Sequence, residues 1–416
     1  MLLKVLTLLL LCATLGWAKE SYEGYKIYDV TARNNFEKQL LLRLANNVDY
    51  DFFEMPRALH APARVMLMPK DQPGFESLLQ RFNMEYLVVS ENLARSLQQQ
   101  QGERLMSSRA TETRGISFTA FQRHADINAY LDSLAKAYPS RVSVKVAGQS
   151  YEKRDLKTIT ISNGDGRQGK NVIFLDAGIH AREWIAPAGA LYVIYQLVEN
   201  FVMYQDLLKD YDWVILPVVN PDGYEYSHST TRMWRKTRKP VTSTCSGTDA
   251  NRNFDFHWGE VGASSIACAD TYKGSTAFSE PETQTVRDLL LELKGRGKFY
   301  LTLHSYGNYL LYPWGYTSDL PADWRNIDEV AKAGAAAIKK ATGTKYTVGS
   351  STNVLYAAAG GSDDYAYAMA KFPISITMEL PAGGTGFDPT PAQILPMVSE
   401  TWEGIHAMAK QVIDKY

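Results

Sequence analysis

Four apolar runs separated by helix-length stretches fix the fold class of most of this chain. Val172 to Leu175, Trp213 to Val219, Phe299 to Leu303 and Ile374 to Leu380 are too continuous for strands with one wet face. Strands buried on both faces read this way, and they belong to sheets covered by helices on each side. Ile185 to Val202, Glu282 to Leu293, Ile327 to Ala341 and Pro391 to Val412 carry helical patterns among them. The alternation predicts an α/β unit over 115–416, a mixed central sheet flanked by helices. Ligands of open α/β sheets gather beyond the carboxyl ends of the strands. The residues just past each run are therefore the first candidates for chemistry.

The N-terminal part reads differently. In residues 1–18, Lys4 precedes an apolar core from Val5 to Leu15, and Gly16-Trp17-Ala18 offers small residues at a cleavage position. This is the pattern of a secretory signal and predicts a secreted, extracellular protein. Cys12 leaves with the signal, so Cys245 and Cys268 remain as one possible disulfide pair or as two separate thiols. No Asn-X-Ser/Thr acceptor is present, so N-glycosylation is not expected. A second unit follows, predicted as a small α+β domain. Its strands are Tyr25 to Val30, Ala63 to Met68 and Glu85 to Val89, and its helices Gln39 to Leu44 and Phe75 to Phe82. From Gln98 the chain turns polar and carries Arg104, Arg109 and Arg114, the composition of an exposed linker open to trypsin-like cleavage. The expected division is 1–18, 19–114 and 115–416.

With Lys+Arg at 44 and Asp+Glu at 45, the net charge of −1 argues against a general nucleic-acid binder. No internal run reaches the roughly 18 apolar residues of a membrane-spanning helix.

Past the first run come His180-Ala-Arg-Glu183, past the second Asn220-Pro-Asp-Gly223, past the third His304-Ser-Tyr306; Glu379 lies near the end of the fourth. His-x-x-Glu is a weak signal alone. At a strand-to-helix turn, however, its two side chains can face one point. A distant His304 would complete a His₂Glu set with an open fourth position, the pattern of catalytic zinc.

Six blocks in this order carry a resemblance. His180-Ala-Arg-Glu183-Trp-Ile, Trp234-Arg-Lys-Thr-Arg238, Thr248-Asp-Ala-Asn-Arg252-Asn-Phe, His304-Ser-Tyr306, Tyr356 with Gly360-Gly-Ser-Asp-Asp364, and Glu379-Leu resemble zinc metallocarboxypeptidases of the pancreatic A/B type. The N-terminal unit is similar to that family's activation domain. The resemblance implies one zinc held by His180, Glu183 and His304, with Asp249 bonded to the first histidine, where it would fix the imidazole tautomer. It implies Glu379 as general base toward water acidified by zinc, and Arg238 as the donor that stabilises the oxyanion. Arg238 also lies in a basic run that could be a solvated face. Asn251 and Arg252 would clamp the substrate's free carboxylate, which suits bidentate arginine. Tyr356 would close on bound substrate, and Arg182, Tyr306 and Phe387 would line the channel.

Asp363 occupies the position that separates B-type enzymes, which remove C-terminal Lys or Arg, from A-type enzymes with apolar preference. A carboxylate there pairs with a cationic side chain and leaves an apolar one facing an unpaired charge. Asp363 could instead cap a helix starting at Asp364. Ser351 stands where B-type enzymes usually have Gly, and Pro381-Ala382-Gly-Gly384 replaces an Arg-Asp pair of vertebrate relatives. The expectation is a monomeric zymogen of a basic-specific carboxypeptidase, acting on peptide C-termini after cleavage by a trypsin-like protease. An A-type enzyme and an inactive peptide-binding relative are its rivals.

Overall fold

The computed structural model describes residues 19–107 and 116–416, and for 101–107 the backbone only. The signal expected at 1–18, Arg109 and Arg114 lie outside the described residues, as does the side chain of Arg104.

The N-terminal unit is a four-stranded antiparallel sheet in the order β2-β3-β1-β4: β1 Lys26–Thr31, β2 Asp51–Glu54, β3 Pro62–Leu67 and β4 Glu85–Ser90. Helices α1 Asn35–Leu44 and α2 Gln72–Arg81 cover one face. The alternation of β1 and β3 points Tyr28, Val30, Ala63 and Val65 at Leu41, Phe75 and Leu79 of those helices. The other face sends Ile27 and Met66 toward Leu93, Ala94 and Leu97 of α3, Leu93–Ser107. That cluster extends into the larger unit through Met233 and Phe387, so one apolar seam joins the two units. The polar stretch expected to be linker from Gln98 onward is thus helical as far as Ser107. Two bonds dock this helix: Ser96 donates to Asp388, 2.5 Å, and Gln100 to the Pro389 carbonyl, 3.0 Å.

The larger unit is built on an eight-stranded mixed sheet in the order β11-β10-β12-β9-β7-β8-β6-β5. In chain order these are β5 Val142–Gln149, β6 Asp155–Ile161, β7 Asn171–Ala177, β8 Tyr211–Leu216, β9 Gly297–Ser305, β10 Tyr309–Tyr312, β11 Thr347–Ser350 and β12 Ile374–Leu380. The four apolar runs became β7, β8, β9 and β12, the mutually parallel centre of the sheet. The helices are α4 His124–Ala137, α5 Ile185–Val198, α6 Phe201–Tyr204, α7 Pro221–Ser229, α8 Pro281–Glu292, α9 Trp324–Thr342, α10 Ser351–Val354, α11 Ser362–Ala368 and α12 Pro391–Lys415. One core packs α4, α5, α9 and α12 on one face of the sheet. A second, around Phe174, Leu216, Tyr300 and Phe372, packs α8 and α11 on the other. Buried on both faces, the central strands hold their carboxyl ends rigidly side by side.

Candidate active site

The chemistry gathers where β7, β9 and β12 end. After Ala177 the chain turns at Gly178, whose φ of +69° and close approach to Pro187 exclude a side chain. It then presents His180 and Glu183 in the turn before α5. His304 is the penultimate residue of β9, and the parallel register sets Glu379 of β12 directly beside it.

His180 Nδ1 lies 2.7 Å from Glu183 Oε1 and 3.2 Å from His304 Nδ1, while His304 Nδ1 is 3.2 Å from Glu183 Oε2. All three residues are buried and their donor atoms lie within 4.8 Å of one another. Two imidazole nitrogens facing each other across a carboxylate make the N₂O donor set that zinc takes. The surroundings fix each ligand. Asp249 Oδ1 sits 3.1 Å from His180 Nε2, which keeps that nitrogen protonated and leaves the Nδ1 lone pair free for a metal. The Ser305 amide donates to Glu183 Oε2, 3.1 Å. Asp249 accepts from the Asn251 amide, 3.0 Å, and from Arg235 Nη2, 3.0 Å. Although burial opposes ionisation, Arg235, Arg252 and His180 hold Asp249 well below the usual carboxylate range.

A cavity of about 130 Å³ opens beside this cluster. Its walls include Asn251, Arg252, Tyr306, Tyr356, Asp363, Glu379, Phe387 and Ser351. Desolvation pushes the Glu379 carboxyl up to about 8; His304, Arg235 and Arg252 work against the rise, and Glu183 adds to it. Arg252 is buried and held by its own neighbours, Nε on the Gly262 carbonyl at 2.9 Å and Nη1 on the Asn251 carbonyl at 2.8 Å. Gly360, at φ +77°, lets the α11 loop approach the Arg252 carbonyl, which a Cβ would meet at 2.6 Å.

The adjacent acids divide their work. Asp364 accepts the Gly315 amide with both oxygens, 2.9 and 3.0 Å, and ties two loops together. Asp363 faces the cavity, its Oδ2 receiving the Thr377 hydroxyl at 3.1 Å and its Oδ1 the Asp364 amide at 3.0 Å. The helix begins two residues earlier than the capping alternative required, at Ser362, with Gly361 at the cap position.

One sequence expectation is corrected. Arg238 does not reach the cavity: its guanidinium lies over the rings of Tyr226, 3.6 Å, and Trp234, 4.6 Å. The arginine facing the metal ligands is Arg235, with Nη1 3.7 Å from Glu183 Oε1. The physical reason lies in the backbone. The Ala181 amide donates to the Arg235 carbonyl at 2.9 Å, pinning residue 235 to the metal-ligand turn. Three residues later the chain has left that turn. Two arginines in one short basic run cannot be told apart by spacing alone; this backbone bond between two loops separates them.

Arg182 is also away from the cavity wall. Its guanidinium packs against Phe387, 4.6 Å, and meets the N-terminal unit: Nη1 bonds Asp51 at 2.9 Å, and Phe53 lies 5.2 Å from Cζ. Phe53 also stands edge-on to Phe387, 5.0 Å between centroids, and Glu54, Met55 and Arg57 line the cavity itself. The short strand β2, which the sequence did not announce, thus lies across the site. Cys245 and Cys268 are joined as a disulfide.

Comparison with known proteins agrees with this geometry. Residues 127–404 match the zinc carboxypeptidase family, and residues 28–100 match the carboxypeptidase activation peptide. Carboxypeptidase B of Astacus astacus is 45% identical over 304 residues, covering 72% of this chain and all of that protein. Carboxypeptidase B of Helicoverpa zea is 38% identical over the full length of both chains. The crystal structure of carboxypeptidase A from Helicoverpa armigera superposes with a TM-score of 0.89 at 34% identity, covering 95% of this chain and 99% of that one. The chain therefore belongs to the zinc carboxypeptidase family, and carries the family's activation peptide ahead of its enzyme unit.

Proposed function

We propose that this zymogen is secreted and, once cut in the segment following α3 by a trypsin-like protease, removes Lys and Arg from peptide C-termini. The observation that carries the specificity is Asp363. It is a carboxylate on the cavity wall whose hydrogen-bonding partners, the Thr377 hydroxyl and the Asp364 amide, are both neutral. A cationic side chain is the partner that such a group lacks.

His180, Glu183 and His304 would hold the zinc, which when bound would supply Lewis acidity toward water and the substrate carbonyl. The remaining work falls to the chain. Arg252 and Asn251 receive the terminal carboxylate, so that only a chain end fits. Tyr356, beyond α10, covers the bound residue. Glu379 takes a proton from the attacking water and returns it to the leaving amine. A carboxylate raised by desolvation is suited to both transfers. Arg235, rather than Arg238, donates to the carbonyl oxygen as negative charge builds there. Tyr306 and Phe387, stacked edge-to-face at 4.9 Å, guide the residues preceding the scissile bond.

The apolar walls supplied by Leu311 and Leu355 support a second reading, an A-type preference. Trypsin-activated protein assayed on benzoyl-glycyl substrates ending in Arg, Lys, Phe or Asp, with and without a zinc chelator, separates the two. Chelator-sensitive release of Arg and Lys at least about tenfold faster than Phe is the expected result. Faster release of Phe would overturn the basic preference and leave the peptidase assignment standing.

A further inference from the structure

A histidine that ligates metal through one ring nitrogen donates its other N–H to a carboxylate, a carbonyl or water. Asp249 is that acceptor for His180. His304 turns Nδ1 toward the cluster, so its proton sits on Nε2, and this buried nitrogen meets no partner among the described residues. The sheet shows what lies beside it. Tyr300, Thr302 and His304 alternate along β9 onto the face that Phe174 and Asp176 of β7 share. Thr302 is paired with Asp176 in the parallel ladder and stands two residues before His304. The Tyr300 hydroxyl donates to Asp176 Oδ2, 2.6 Å. Asp176 is fully buried, and the charged group facing it is His304. The Thr302 hydroxyl lies close to Asp176, and the Thr302 and Ser362 hydroxyls lie close to Tyr300. Yet Asp176 Oδ1, Thr302 Oγ1 and Ser362 Oγ, like His304 Nε2, are buried without a hydrogen-bond partner. Buried polar atoms are rarely left unpaired, and several in one place point to an ordered water among them.

We propose that Asp176 is the positioning residue of His304, acting with the Thr302 hydroxyl through one buried water. The water accepts from His304 Nε2–H and donates to Asp176 Oδ1 and Thr302 Oγ1. Tyr300 holds the other carboxylate oxygen and so aims Oδ1 at the water. The arrangement keeps the proton on Nε2, leaves the Nδ1 lone pair to the metal and sets the plane of the ring. It gives the second histidine what Asp249 gives the first. A buried carboxyl with no lysine or arginine paired to it among the described residues is costly to keep, and Tyr300 alone would be served by a neutral acceptor. Support of a metal ligand accounts for the carboxyl.

The test uses zinc-loaded full-length protein with ¹⁵N-labelled histidine. Imidazole N–H signals of His180 and His304 are followed by NMR, and zinc affinity by competition with a chromogenic chelator. Asp249→Asn identifies the His180 signal as the one it displaces. Asp176→Asn and Thr302→Val should each shift the other signal and speed its solvent exchange about tenfold or more, leaving that of His180 in place. Both should weaken zinc binding about 10–100-fold. Thr302→Ser, which restores the hydroxyl, should return signal and affinity to wild type; a role in packing alone would not be rescued in this way. Thr302→Val is nearly isosteric, so it decides the matter if Asp176→Asn does not fold. Weaker zinc binding with the His304 signal unmoved, unchanged zinc affinity, or failure of Thr302→Ser to rescue overturns the proposal.

Discussion

Glu379 and His304 are partners in one rung of the parallel ladder between β12 and β9. A metal ligand and the proposed base are therefore held by sheet register rather than by a loop. Hydrogen bonding along β9 and β12 sets their separation, which fits the rigid support a catalytic pair requires. Glu379→Gln should leave zinc content unchanged, measured by atomic absorption, and lower kcat by about 10²–10⁴ with little change in KM.

The same pair sets a pH profile. Glu379 must be ionised to accept a proton, and desolvation raises it from an ordinary 4.5 to about 8. The dication that His180, Glu183 and His304 hold pulls it back toward the ordinary value. Activity should be full at alkaline pH and fall as pH drops through this group. The acid limb of kcat/KM should lie above 4.5 and no higher than about 8. A limb at or below 4.5 would show that the base is not this buried carboxyl.

The two arginines of the Trp234 segment give a sharper comparison. Arg235→Ala should lower kcat by about 10²–10³, the usual effect of removing one oxyanion donor. Arg238→Ala removes two ring contacts remote from the cavity and should cost about 0.5–2 kcal/mol of stability while changing kcat little. Thermal melts and steady-state kinetics on both variants read the two effects separately.

What the sequence revealed followed burial. β7, β8, β9 and β12 were legible because both their faces are covered, and an unbroken apolar run has few other meanings. β5 and β6 were not, since they lie at an edge where Ser143, Lys145 and Lys157 break the apolar pattern. β10 and β11 span four residues each, too short for a period to show. His180, Glu183, His304 and Glu379 could be chosen because each follows or closes a legible strand. The order in which the strands pair, and so the contact of His304 with Glu379, is long-range and invisible locally. The same holds for Asp51 on Arg182: residues 131 positions apart leave no mark on each other's neighbours. Arg235 was missed because its position is set by a backbone bond to Ala181, not by any property of its side chain.

Asp249 supports the metal site without touching the cluster's centre. Its Oδ1 bonds His180 Nε2, and its Oδ2 is held by Arg235. Asp249→Asn keeps the shape and removes the charge that makes the imidazole a stronger donor. Zinc affinity should fall about 10–100-fold, measured by competition with a chromogenic chelator. Because Arg235 loses its anchor, kcat of the zinc-saturated variant should fall as well. An unchanged zinc affinity would mean that the tautomer of His180 is fixed by other means.

Specificity can be separated from catalysis at Asp363. Asp364 carries the structural bonds to the Gly315 amide, so Asp363 can be replaced with limited effect on the fold. Asp363→Ala removes the charge and leaves the Thr377 hydroxyl facing a pocket flanked by Leu311 and Leu355. For substrates ending in Arg or Lys, kcat/KM should fall about 10²-fold or more, since an unpaired cation must then be desolvated. For a substrate ending in Phe it should rise, because no buried carboxylate opposes an apolar side chain. The loss for basic substrates should appear mainly in KM, as the altered contact lies away from the reacting carbonyl. Equal losses for Arg and Phe substrates would assign Asp363 to holding α11 in place, and basic specificity would then have to come from another wall of the cavity.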